Sequence, residues 1–176
     1  RVASNGDKLW AKSLGGSEID KGYGIAKTED GNYIIVGDTR SMDQDVSTLN
    51  GNADAWVAKF SPNGNIIWEK TYGGGAFDSA KSITRLQNGN FAVVGNTRSS
   101  INGFLNRGQN DAWIFIIDTD GALKFSYIIG GGGIDFANAV VQTQDNKLLI
   151  VGSTQSNDMD IPENKGGQDA LLIKIK

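Results

Sequence analysis

Acidic residues recur in this sequence at spacings that suit three kinds of chemistry. Asp43 and Asp45 in "SMDQDVSTLNGNAD", and Asp158 and Asp160 in "SNDMDIPENKGGQD", form Asp-x-Asp pairs in polar segments. Clustered carboxylates supply the oxygens that Ca²⁺ takes, so these four residues are a candidate calcium site. The full spacing of an EF-hand loop is missing, and the matching segment "SSINGFLNRGQND" has no such pair. The competing reading is a solvated turn whose aspartates cap nearby backbone amides. Arg40, Arg98, Phe104 and Arg107 lie in the same polar segments and complete the list of candidate binding residues.

A second set of acids comes in triplicate. Asp20, Asp78 and Asp135 each enter an apolar segment, and Asp54, Asp111 and Asp169 are each followed by Ala. A glycoside hydrolase or lyase needs two carboxylates about 5–10 Å apart, and Asp20 and Asp135 are the acids to test for that role. Repetition argues otherwise, because three joints need three acids whereas one pocket does not. These six are read as structural, accepting bonds from loop amides or from Arg40 and Arg98.

Absences narrow the chemistry further. The 176 residues contain no Cys and no His, which removes disulfides, thiol nucleophiles, histidine triads and the usual zinc sites. No catalytic residue is assigned, the chain is read as a non-enzyme, and no cofactor is expected beyond the possible calcium. A net charge of -3 with scattered Lys and Arg argues against nucleic-acid binding. Apolar runs such as "WIFII" fall far short of the roughly 20 residues of a membrane span, so no membrane insertion is expected. The chain opens on Arg1 and is read as processed, or excised from a longer protein.

What positions these residues is a repeat. Gly6, Gly64 and Gly121 open equivalent units, "GDKLWAKSLGG", "GNIIWEKTYGG" and "GALKFSYIIGG", with a period of roughly 57 residues. The units run over residues 6–63, 64–120 and 121–176 of a single repeat domain. Each reads as four short strands, with Asp30-Gly31 and Asn88-Gly89 as centres of type I′ hairpins. Near-continuous apolar runs such as "YIIVG" and "AWIFII" predict sheets buried on both faces. Small residues at Gly22, Ala80 and Ala137, and at Gly24, Ser82 and Ala139, suit an innermost strand. Trp10, Trp56, Trp68 and Trp113 occupy strand positions and are read as packing between sheets.

The fold expected is all-β, a β-propeller of four-stranded blades with three repeats in this chain; a β-solenoid is the alternative. Residues 7–13 are an outer-type strand that would complete the last blade of a ring. Three blades fall below the usual minimum of about four. The expected partner is therefore a second copy, 3 + 3 around a two-fold axis, or further repeats of a longer chain.

The units "LWAKSLGGSEID", "DGNYIIVGDTRS" and "ADAWVAKFSPNG" resemble a bacterial β-propeller repeat family of secreted and cell-surface proteins. The third unit departs most: Phe125 and Leu171 replace Trp, and Gln155 replaces Arg. The resemblance implies a secreted or surface-bound module and brings no catalytic residues with it. The long loops, 37–54, 95–111 and 152–169, share one face, where a protein or glycan would bind. Tyr23, near the axis, and Phe104, in a loop, are the aromatics expected to be exposed there.

Overall fold

Runs of β-branched and aromatic residues, cut by Gly, Asn and Asp, fold into short antiparallel strands. The computed structural model describes residues 2–176 and is all-β. The first sheet holds β1 (Asp20–Lys27), β2 (Tyr33–Thr39), β3 (Asp54–Phe60) and β4 (Ile66–Tyr72). The second holds β5 (Asp78–Arg85), β6 (Phe91–Thr97), β7 (Asp111–Ile117) and β8 (Leu123–Ile129). The third has three strands, β9 (Asp135–Gln142), β10 (Leu148–Thr154) and β11 (Asp169–Ile175). Within each sheet, neighbours in sequence are neighbours in space.

The hairpin turns differ from expectation. Gly31 and Gly89 take φ of +82° and +87°, but Asp30 and Asn88 do not share the left-handed conformation. Instead Gly31 N–H donates to Thr28 O and Thr28 N–H donates to Asn32 O. That is a four-residue turn closed by one left-handed residue, which suits the twist of the strands as a type I′ turn does. Gly64 and Gly121 close the β3–β4 and β7–β8 turns in the same way, and Asn146 does so in the third sheet.

The first strand of each sheet, β1, β5 or β9, carries a bulge at the equivalent place. The register skips Tyr23 between Gly22 and Gly24, Lys81 between Ala80 and Ser82, and Asn138 between Ala137 and Ala139. The bulge presses this first strand onto a glycine of its neighbour. A Cβ on Gly37, Gly95 or Gly152 would collide with the carbonyl oxygen of Lys21, Ser79 or Phe136. This explains the glycine that ends "IIVG", "AVVG" and "LIVG".

The sheets stack face to face. Ile34, Val36, Ala55 and Val57 meet Phe91, Val93, Trp113 and Phe115 in one core. The opposite face of the second sheet, with Ala92 and Ile114, meets Val140, Leu148 and Ile150 in another. The second sheet is thus buried on both faces, and β6 is buried at every residue. β1 lies beside β5, and β5 beside β9.

Residues 7–13 form no sheet strand within the single chain. Lys8 bridges to Val2, and Trp10 and Lys12 reach the β3–β4 turn. The outer edge of β11 has no partner strand among the described residues.

Candidate functional site

The triplicate acids sit where one sheet passes to the next. Asp78 Oδ1 accepts from Thr97 Oγ1, while its Oδ2 accepts from Gly74 N–H (2.8 Å) and Ser99 Oγ (2.8 Å). Asp20 repeats this with Thr39, Gly16 and Ser41, and Asp135 repeats it with Thr154, Gly131 and Ser156. The expected bonds from Arg40 and Arg98 are not made here; hydroxyls and glycine amides fill both oxygens. Asp135 is fully buried and both of its oxygens accept hydrogen bonds.

Asp54, Asp111 and Asp169 cap the ends of the long loops, accepting from the N–H of Asn50, Arg107 and Lys165. Asp54 Oδ1 and Asp111 Oδ1 are buried with no hydrogen-bond partner among the described residues. Burial, aided by Asp78 and Asp135 nearby, pushes both carboxyls above the usual range.

The Asp-x-Asp pairs pin the glycine turns between sheets. Asp43 accepts from Ser17 N–H and Asp45 from Gly15 N–H. Asp158 accepts from Gly132 N–H, and Asp160 accepts from Gly130 N–H and from the Arg107 guanidinium. Each pair serves its own turn, so the four do not converge. No group of three or more acidic side chains suited to a metal gathers among the described residues. Phe104 also departs from expectation: it is half-buried and edge-on against Tyr127, with ring centroids 5.1 Å apart.

The structure does bring Arg40 and Arg98 together. Both are exposed, and their guanidinium carbons lie 5.7 and 5.8 Å from the centre of the Phe77 ring. Main-chain bonds place them, Arg40 N–H to Ile19 O and Arg98 N–H to Phe77 O. Neither forms an ion pair with a carboxylate among the described residues. Sequence comparison shows Arg40 and Arg98 as equivalent but does not reveal Phe77 between them.

The bulges aim a second group, in which Tyr23, expected to be exposed and 44% exposed, is joined by Lys81 and Asp38, which the sequence did not single out. Lys81 Nζ lies 3.6 Å from the centre of the Tyr23 ring and 3.5 Å from Asp38 Oδ1. Asp38 is buried and also accepts from Ser79 Oγ at 2.7 Å. Burial lowers the Lys81 ammonium from its usual value, with Asp38 opposing the change. Burial, then Asp38, pushes the Tyr23 phenol up to about 12, so it is a hydrogen-bonding group and not a phenolate base. A signal existed: Tyr23, Lys81 and Asn138 are the variable residues between two small ones in otherwise similar strands.

The fold and these surfaces define an all-β repeat protein of stacked antiparallel sheets. No family model matches the chain. Over 167 residues it is 27% identical to "Regulatory protein FlaEY" of Caulobacter vibrioides, covering 87% of this chain and 17% of that protein. A crystal structure of a protein of unknown function from Bacteroides caccae is similar at a TM-score of 0.46 and 12% identity. That likeness covers 85% of this chain and 44% of the other.

Proposed function

We propose that this chain is a non-catalytic interaction module of β-propeller type, its sheets serving as blades with β1, β5 and β9 innermost. Its loop end binds a protein or glycan segment that carries carboxylates. The Arg40–Phe77–Arg98 cluster carries this reading. Two exposed guanidiniums without acidic partners among the described residues flank one ring, offering forked donors to a carboxylate and an apolar face to its carrier. Lys81 and Tyr23 extend the polar surface toward the inner strands. The resemblance of the repeats to secreted and surface proteins supports a module that acts outside the cell. Its match to a small part of a much longer regulatory protein fits a module carried within larger chains.

Arrays of acidic glycans and acidic peptides test this. The expected result is binding to at least one class, weakened at least tenfold in the double variant R40A/R98A and reduced by added salt. Absence of binding on both arrays, or binding indifferent to the double variant, overturns it.

A further inference from the structure

The two ends of the stack are halves of the same junction. Positions that face the next sheet are fully buried at both internal junctions: Val36 and Val57 in the first sheet, Val94 and Ile114 in the second, are each 0% exposed. Their counterparts in the third sheet, Val151 and Leu172, are 46% and 69% exposed. At the opposite end Ile25 is 60% exposed, against 8% for Ile83 and 5% for Val140 at the equivalent position.

The edges match as the faces do. Trp68 Nε1 donates to Thr119 O at 3.2 Å and Lys70 Nζ to Asp120 O at 2.8 Å, tying β4 to the next sheet's turn. Trp10 Nε1 donates to Pro62 O at 3.2 Å and Lys12 Nζ to Gly64 O at 3.1 Å. The indole of Trp10 packs on Gly64 as that of Trp68 packs on Gly121; a Cβ there would lie 3.1 and 3.0 Å from the ring. Residues 10–14 therefore stand where a fourth strand would stand in front of the first sheet. The third sheet has the matching three strands and no fourth.

We propose that a second copy of this chain supplies the missing half. The bare face and open β11 edge of one copy receive the Ile25 face and residues 10–14 of the other. The β3–β4 pairing sets the register: Leu14 opposite Ala170, Lys12 opposite Leu172, Trp10 opposite Lys174. Pairing stops at Trp10, because Val2 already takes Lys8. The contact is head to tail, and two of them close a two-fold ring in which every sheet has four strands and two covered faces. This docking does not depend on the ligand reading above.

Light scattering after size exclusion, across a concentration series, is the test. A two-chain species is expected for the native sequence. L172D and I25D should each give single chains with unchanged circular dichroism, since both side chains are already exposed in the single chain. Mixing the two variants should restore a two-chain species held by one intact contact, because the Leu172 face of the I25D chain meets the Ile25 face of the L172D chain. More than two chains, dispersed by L172D, upholds the docking and overturns ring closure. A single-chain native protein at all concentrations, or a two-chain species indifferent to both substitutions, overturns the proposal.

Discussion

Two kinds of repeated aspartate do opposite electrostatic work. Asp78 accepts three bonds from buried or half-buried groups, and its negative charge is what those donors need. D78A leaves the Gly74 amide and the Ser99 hydroxyl without an acceptor, while Thr97 Oγ1 still reaches Ser99 O at 3.0 Å; at about 1 kcal/mol or more for each stranded donor it should cost roughly 2 kcal/mol or more of stability. Urea denaturation measures this, and a loss below about 1 kcal/mol would remove Asp78 from its joint role. Asp54 instead keeps one oxygen without a donor and is held above the usual carboxylate range by burial. The folded state then binds more protons than the unfolded state between the two values. Stability therefore falls as pH rises from the ordinary aspartate range, about 3.9, through the raised one. D54N presents a neutral amide that still accepts from Asn50, so it should flatten that fall with little loss of stability. An unchanged pH slope in denaturation midpoints would contradict the assignment. Triplication was enough to show that these acids are structural candidates; which oxygen lacks a partner depends on packing that no spacing encodes.

At the level of the element, the bulge and the glycine opposite it act as one device. An extra residue in the first strand of a sheet kinks it onto its neighbour and re-aims one side chain. Only glycine leaves room for the carbonyl that is pushed across. G95A should cost about 1–3 kcal/mol or more, because the bulge must shift to admit a methyl group. G75A, where an added Cβ meets nothing within 4 Å, should change stability by less than about 0.5 kcal/mol. Thermal melts of the pair distinguish a bulge requirement from a general glycine effect; equal losses would refute it. The strands and their order were legible, since apolar runs and Gly, Asn and Asp turns mark them along the whole chain. The turn type was not. A left-handed glycine closes both the two-residue and the longer hairpin, and "DG" does not distinguish them. The bulges were equally hidden, because a skipped residue shows only in the pairing register.

For the whole molecule, stability should be graded along the stack. The second sheet is covered on both sides, whereas β11 alternates between half-buried and exposed residues. Backbone amides of β6 and β7 should exchange hydrogen slowest and those of β11 fastest in a dilute single chain, with β11 gaining protection on concentration if copies dock. Uniform protection across the three sheets would show that the stack opens as one unit. What the sequence determined by itself is the repeat, the all-β content, the strand order within each sheet and the triplicate acids. These follow from local patterns of hydrophobicity and turn residues that recur at fixed spacing. Only the tertiary structure decided that Arg40 and Arg98 flank Phe77, that Lys81 meets Tyr23 and Asp38, and that Phe104 turns inward. The first two sets of contacts join residues from different sheets and the last joins the β6–β7 loop to β8, so they exist only once the strands have paired and the sheets have stacked.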